Sequence, residues 1–341
     1  MYSFMNDYSE TAHPNIMEAI NRSISEQNTG YGLDLHSEHA RQLLLKCLGD
    51  NTVDIHFLPG GTITNLTMIS YALRSYEAVI AADTGHINVH ETGAIEATGH
   101  KVIAVRTPDG KLTPERIQPQ LDQHANEHYV KPAMVYLSNP TELGTVYSKS
   151  ELETLFAYCK EQGLLLFMDG ARLAMALAIP ELYLTLEDLP KLTDVFYIGG
   201  TKAGAMFGEA LVIVNDTLKQ DMRYNMKQHG ALMAKGWLLG IQFEELFQNN
   251  LYRNIGAHSN AMADILRQAF REAGFPFLAD SPTNQVFPIL PNVLIAKINQ
   301  SYLTSPERII DDEHTCIRFC TSWATKEEDV RRFVKDFKKM L

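Results

Sequence analysis

The sequence predicts an α/β protein: a mostly parallel central sheet with helices on both faces, followed by a small C-terminal α+β region. Three observations carry that expectation. Unbroken apolar runs such as Leu164 to Met168 and Val195 to Ile198 are short enough for strands and have no polar face, as strands buried on both sides require. Between such runs lie polar, Gly-containing turns and stretches of helical periodicity, and this strand, turn, helix order recurs up to Gly240. Beyond Gly240 comes long helical sequence, then short strands punctuated by Pro282, Pro288 and Pro291. The chain divides accordingly into an N-terminal arm over residues 1–30, a large α/β domain over 31–245 and a small α+β domain over 246–341.

Composition narrows the function. With 341 residues, 45% of them hydrophobic, the chain can bury a large core and a smaller one. Its 30 basic and 41 acidic residues give a net charge of −11 with no run of Lys or Arg, which argues against nucleic acid and anionic membrane surfaces as partners. Cys47, Cys159, Cys316 and Cys320 form no Cys-x-x-Cys pair and have no His at zinc spacing, so they read as core residues in a reducing compartment. The N-terminus lacks a basic region followed by an apolar one, and no apolar stretch is long enough to span a bilayer. A cytoplasmic protein is expected.

Residues 1–40 begin with Phe4-Met5-Asn6-Asp7, in which no core strand is expected, and Pro14 suits the first turn of a helix running to about Glu26. Tyr31 lies between two glycines ahead of a helix with apolar positions Leu43, Leu44, Cys47 and Leu48. Such an arm is either a mobile terminus or a segment that drapes over a neighbouring subunit. Residues 53–73 read as strand, Gly60-Gly61 turn and helix, with Thr62 and Thr64 beside the helix N-terminus. Free N–H groups there favour an anion, although a plainly capped helix fits as well. Neither a Walker A loop nor a Gly-x-Gly-x-x-Gly fingerprint is present.

Residues 76–105 give two strands flanking His86, His90 and Glu91. A zinc site needs a third ligand, and the intervening residues are poor for the helix such a pair requires, so no metal is expected. His86 at the mouth of a strand either lies flat against a planar ligand or is a satisfied turn residue. A turn at Pro108-Asp109-Gly110, a helix from about Thr113 and a strand ending in Asn139-Pro140-Thr141-Glu142 follow. The next helix is expected to start with Ser150 and Glu153 as a capping box and to stop at Gly163. Asp169 then emerges at the end of a buried strand with Arg172 three residues later. The two form either a structural ion pair or an Asp held ready for a cationic ring nitrogen.

Lys202 follows Gly199-Gly200-Thr201 at the end of another buried strand. Desolvating an ammonium there is costly and favours the neutral amine that carbonyl chemistry needs; the alternative is a Lys that merely snorkels from its turn. Arg318, in the alternating stretch TCIRFCTSW, is either a surface charge or a bidentate clamp for a carboxylate. In open parallel sheets the ligand crevice lies beyond the carboxyl ends of the strands. Gly60-Gly61-Thr62, His86, Asn139 to Glu142, Asp169 with Arg172, and Lys202 all fall at such ends, so five polar clusters converge on one edge.

The segments FLPGGTITN, GHINVHETGAIEATGHKV, SNPTELGTVYS, LFMDGARLA, FYIGGTKAGAMFGEA and IRFCTSWAT, taken together and in this order, resemble the pyridoxal-phosphate-dependent L-threonine aldolase and β-eliminating lyase family over nearly the whole chain. The resemblance implies the type I aminotransferase fold and pyridoxal 5'-phosphate as cofactor. It implies a small amino-acid substrate, and a homodimer or homotetramer with shared active sites. By resemblance, Lys202 is the Schiff-base lysine, Asp169 the partner of the pyridine N–H, Arg172 the contact to the ring oxygen and His86 the residue stacked on the ring. Gly61 and Thr62 hold the phosphate, Asn6 and Arg318 bind the substrate carboxylate, and Tyr31 reaches a neighbouring subunit's site. The activity implied is cleavage of a β-hydroxy-α-amino acid such as L-threonine or L-allo-threonine to glycine and an aldehyde. The alternative is β-elimination or transamination of another small amino acid. Two positions depart from the family pattern. Glu142 follows Thr141 where many members have a second His, so the base is either a neutral His or an ionised carboxylate. HGALMAKG replaces a segment that carries a partner-subunit Arg, leaving Lys227 or Lys235 for the phosphate contact.

Overall fold

The computed structural model describes residues 1–341. The first strand, β1 (Tyr2–Ser3), lies apart from the main sheet. β2 (Asp54–Leu58), β3 (Glu77–Ala82), β4 (Lys101–Val105), β5 (Lys131–Ser138), β6 (Leu165–Asp169), β7 (Val195–Gly199) and β8 (Glu209–Ile213) make a seven-stranded sheet in the order β2-β8-β7-β6-β5-β3-β4. β4, β3, β5, β6 and β7 run parallel, while β8 is antiparallel to both β7 and β2. The sheet is therefore mostly parallel, and its apolar strands are covered on both faces. Phe196 and Ile198 of β7 belong to one core of 44 buried residues, and Val195 and Tyr197 to another of 20. Strand alternation thus feeds two cores at once, which is why these segments show no polar face in sequence.

The helices accompanying this sheet are α1 (Pro14–Arg22), α2 (Leu35–Leu48), α3 (Gly61–Ala72), the single turn α4 (His86–Val89), α5 (Pro114–Gln123), α6 (Lys149–Glu161), α7 (Leu173–Leu177), α8 (Met222–Gln228) and α9 (Trp237–Leu246). α1 ends four residues short of the expected Glu26, where Ser23 returns its N–H and hydroxyl to the last carbonyls of the helix. α6 begins two residues earlier than expected. Ser148, not Ser150, caps it and exchanges hydrogen bonds with Glu151, not Glu153. Two overlapping Ser-x-x-Glu pairs are present, and the frame that buries Leu152, Leu155 and Cys159 is the one adopted.

The chain continues through the 22-residue helix α10 (Leu251–Glu272), β9 (Gln285–Val286), β10 (Ile289–Pro291), α11 (Asn292–Ile298), β11 (Tyr302–Leu303), β12 (Ser305–Ile309), β13 (His314–Cys320) and α12 (Glu327–Met340). β13 is the centre of a four-stranded antiparallel sheet with β9, β10 and β12. Cys316 and Cys320 are buried and unpaired on β13, and Cys159 is buried beneath the large sheet.

The N-terminal segment differs from expectation. β1 pairs in parallel with β11, Tyr2 opposite Tyr302 and Ser3 opposite Leu303. Phe4 is fully buried in the small core, its ring 5.7 Å from that of Phe319 and 5.4 Å from that of Phe333. A two-residue strand is too short to leave a periodic signal, and its burial depends on a surface formed roughly 300 residues later. We expect Phe4→Ala to lower the unfolding free energy by about 3–5 kcal/mol in urea denaturation. A loss below about 1 kcal/mol, the range of a surface substitution, would show that the arm is not part of the small core.

Candidate active site

Asp169 ends β6 and is 3% exposed, so its carboxylate has to be satisfied by protein donors. Oδ1 accepts the N–H of Ala171 at 2.9 Å, and Oδ2 accepts the Tyr136 hydroxyl and the Asn65 side-chain amide. The same Asn65 nitrogen donates to Glu91 Oε1 at 2.7 Å, and that oxygen lies 2.6 Å from His86 Nδ1. A continuous buried chain of hydrogen bonds therefore joins Asp169 to His86. Burial alone would lower the imidazole pKa, but Glu91 and the nearby charges of Glu142 and Asp169 outweigh it, and the net direction is upward from 6.5. With Nδ1 committed to Glu91, Nε2 is the nitrogen left to face a ligand. Glu142 makes no ion pair or hydrogen bond through its side chain, yet its charge acts on His86, Tyr136 and Arg172.

Lys202 lies in a single turn of 3-10 helix, Thr201–Ala203, immediately after β7. Gly199 donates to Gly170 O at 3.0 Å, which ties the lysine's segment to the residue following Asp169. A Cβ on Gly199 would meet Ala171 O at 2.4 Å, and one on Gly170 would meet Tyr197 O at 2.0 Å, so only glycine allows this approach. Beneath the turn, Glu209 is 3% exposed and accepts the Gly200 N–H at 3.0 Å and the Thr201 hydroxyl at 2.9 Å. The Lys202 amine itself forms no ion pair or hydrogen bond, and its charge acts on Asp7, His86 and Glu209.

Arg172 does not pair with Asp169. Its Nε and Nη2 grip Asp7 bidentately at 2.7 and 3.1 Å, and Asn284 donates to the same carboxylate at 2.8 Å. The structural pairing of Asp169 with Arg172 weighed from sequence is thus replaced by one across 165 residues, which sequence spacing cannot reveal. Burial opposes the Asp7 charge, but Arg172 and Lys202 more than compensate and hold its carboxyl below the ordinary 3.8. Next to Asp7, Asn6 turns its Oδ1 onto Tyr8 N–H and the Ser9 hydroxyl, which leaves its amide nitrogen free. Arg318 reaches the Met5 carbonyl at 3.5 Å, and its buried Nε has no partner in the chain. An orphaned guanidinium nitrogen on a side chain that reaches the residue before Asn6 fits a carboxylate ligand.

At the N-terminus of α3, Gly60 supplies no capping side chain, and a Cβ added to it would meet nothing within 4 Å. The amides of Gly61 and Thr62 thus open onto free space at the positive end of a 12-residue helix. Thr62 is exposed, whereas Thr64 turns its hydroxyl back to Gly60 O at 2.8 Å and takes no part. Tyr31 is placed elsewhere. It adopts a positive φ of 64°, lies under Lys227 Nζ at 4.4 Å, and lines a separate cavity with Arg41, His56 and Arg223.

Sequence reasoning missed Tyr136, Asn65, Asp7 and Glu209. Tyr136 and Asn65 are internal to a strand and a helix, with no motif to mark them. Glu209 did carry a signal, as a lone carboxylate heading the apolar run Ala210 to Val214, and Asp7 had only its place beside Asn6.

A type I aminotransferase-like sheet, with an unpaired lysine and a buried, donor-held aspartate at its carboxyl edge, defines an enzyme of amine and carbonyl chemistry. The chain belongs to the β-eliminating lyase family, which residues 7–291 match. A low specificity L-threonine aldolase from Pseudomonas sp. (strain NCIMB 10558) is 31% identical over 338 residues, 96% of this chain and 94% of that protein. A solved structure of Leishmania major threonine aldolase is 52% identical, covers 100% of this chain and 99% of its own, and superposes with a TM-score of 0.98. An aspartate aminotransferase from Thermus thermophilus shares the fold at 15% identity, with a TM-score of 0.71 over 100% of this chain and 92% of that one.

Asp7→Asn removes one member of a buried ion pair and should cost about 3–5 kcal/mol of stability at neutral pH. Because the folded carboxyl titrates below 3.8, the wild-type pair stabilises fully above that pH and loses its contribution as pH falls through the folded value. The variant's acid unfolding limb should therefore be shallower. Equal acid limbs in the two proteins would show that Asp7 is not the anion that holds Arg172.

Proposed function

We propose that the protein is a pyridoxal 5'-phosphate-dependent aldehyde-lyase that cleaves L-threonine-type β-hydroxy-α-amino acids to glycine and an aldehyde. The observation that carries this reading is the unpartnered Lys202 amine, tied through Gly199 and Gly170 to the donor-held Asp169. The residues present fit the cofactor. The open amides of Gly61 and Thr62 would hold its phosphate, Asp169 would accept the N–H of its pyridine ring, Arg172 would offer the guanidinium nitrogen not used by Asp7, and Lys202 would be the point of covalent attachment. When bound, pyridoxal 5'-phosphate supplies an electron sink for the pair left on the substrate's α-carbon.

The chain's own residues perform the rest. Asn6 and Arg318 hold the substrate carboxylate and so fix which Cα bond lies beside the sink. His86 Nε2, oriented by Glu91 through Nδ1, removes the β-hydroxyl proton; the Cα–Cβ bond breaks as the hydroxyl oxygen becomes the aldehyde carbonyl. A proton returned to Cα completes glycine. Glu142 is the second candidate base. The division into an arm over 1–30, a cofactor-bearing part over 31–245 and a closing part over 246–341 suits this chemistry. So do a dimer or tetramer in which Tyr31 and Lys227 or Lys235 serve a neighbouring site, and a cytoplasmic location. No helix is long and apolar enough to cross a membrane.

Incubation with L-threonine should yield glycine and acetaldehyde in equal amounts, whereas ammonia and a keto acid would assign the protein to β-elimination instead. Lys202→Ala should abolish turnover and the visible absorbance of the cofactor-loaded protein; an intact band would mean another lysine is used. If His86 is the base it must be neutral, so the rising limb of kcat/KM lies above pH 6.5. Glu91→Gln removes the carboxylate that raises that imidazole and should move the limb down by roughly one pH unit. A limb in the ordinary carboxylate range would transfer the role to Glu142.

A further inference from the structure

Gln285 is a fully buried amide that the retro-aldol steps leave unused. It opens β9 directly opposite Cys320 of β13, with Val286 opposite Phe319 beside it. Val286, Ile317 and Phe319 point into the small core, so by strand alternation Gln285, Cys320 and Arg318 stand on the other face of the sheet. That face meets the carboxyl edge of the large sheet: a Cβ on Gly144, in the loop after β5, would lie 3.2 Å from the ring of Phe287, two residues beyond Gln285. The N-terminal arm is held by the same two strands. Phe4 O accepts the Cys320 N–H at 2.8 Å, Met5 O takes Arg318, and Asp7 takes the amide of Asn284, the residue before Gln285. Asn6 thus lies between one residue fastened to β13 and another fastened at the start of β9.

The polar atoms on this face do not satisfy one another. Gln285 Oε1 faces the Cys320 thiol at 3.9 Å, a weak bond, and Nε2 is buried with no partner. Arg318, two positions from Cys320 and so the diagonal cross-strand neighbour of Gln285, likewise keeps a buried Nε without a partner. Diagonal neighbours stand roughly 7–8 Å apart at the backbone, a gap that a Gln and an Arg side chain can close on one ligand between them. Asp7, the buried acid fastened to Asn284, is no acceptor for them, because Arg172 and Asn284 already take its oxygens. Two buried N–H donors, with the free amide of Asn6 on the arm, describe a site for a ligand that only accepts and does so through several lone pairs. A carboxylate is such a ligand.

We propose that Gln285 is a substrate-binding residue whose Nε2 donates to the α-carboxylate of the amino acid alongside Arg318, the arginine supplying the charge and the amide a second direction. This rests on the reading of Arg318 and Asn6 as carboxylate contacts and extends that cradle to the neighbouring strand. Donors from two strands and the arm fix the plane of the carboxylate, and with it which Cα bond stands beside the electron sink. A buried donor without an acceptor destabilises the empty site, and an amine that brings a carboxylate relieves this while a plain amine does not. Gln285 therefore adds to the selection of amino acids over other amines.

The experiment is calorimetric binding of glycine, and of methylamine as glycine without its carboxylate, to the cofactor-loaded wild type, Gln285→Met and Gln285→Glu. Met keeps the volume and removes the donor; Glu keeps the shape and sets an anion against the carboxylate. Glycine should bind Gln285→Met about tenfold or more weakly than the wild type and Gln285→Glu more weakly still, while methylamine stays within about twofold in all three. A side chain that only fills space predicts no difference between the two ligands. Equal glycine affinities in the wild type and Gln285→Met, or parallel losses of glycine and methylamine, would overturn the proposal and leave the reading of Arg318 and Asn6 standing. A wild type that binds glycine no better than methylamine would remove the carboxylate cradle altogether, and this proposal with it. Should Gln285→Met fail to fold, Gln285→Glu carries the same comparison.

Discussion

The approach of two strand ends, Asp169-Gly170-Ala171 after β6 and Gly199-Gly200 after β7, is the constraint on which the rest of the site depends. Gly199 bonds to Gly170 O, and the backbones pass so close that a side chain at either glycine would overlap a carbonyl oxygen. That contact fixes the carboxylate and the amine in one frame before any ligand arrives. A parallel sheet supplies the geometry, because adjacent strands end on the same edge and the glycines remove what would hold them apart. Preorganisation of this kind matters because a reacting group displaced by an ångström forfeits much of its advantage.

Around that frame the protein has assembled an unusual number of acids. Asp169, Glu91, Asp7 and Glu209 are all buried, and each is held in a different way: by three donors, by a histidine and an amide on one oxygen with the other left unpartnered, by a bidentate arginine, and by a hydroxyl and a backbone N–H. The manner of satisfaction sets what each can do. Glu91 orients an imidazole and raises its affinity for protons, whereas Asp7 is locked as an anion and serves as a fixed point for Arg172. Electrostatic roles in this crevice follow from who the neighbours are, not from the residue type.

Much of this was legible in the chain. The strands of the large sheet announced themselves by unbroken apolar runs, and the polar residues placed at their ends, Asp169 and Lys202 above all, were found because strand ends are where a parallel sheet keeps its crevice. What stayed hidden has a common cause. The Asp7 to Arg172 pair, the Tyr136 and Asn65 donors and the Phe4 core contact join residues that are remote in sequence, each a single side chain with no period and no motif. The capping box of α6 failed for a different reason: two frames satisfied the local rule, and only the burial of Leu152 and Leu155 chose between them.

The N-terminal segment joins the two parts of the molecule in a way that limits how they can move. Phe4 is anchored in the core of the small sheet, and three residues later Asp7 is clamped by Arg172 of the large one. Three residues reach roughly 10 Å when fully extended. The pair therefore acts as a leash: any hinging of the small sheet away from the crevice stops at that length unless one anchor is pulled out. Asn6 and the Met5 carbonyl held by Arg318 lie within the leash itself, so the mouth of the crevice and the tether that limits its gape are the same four residues.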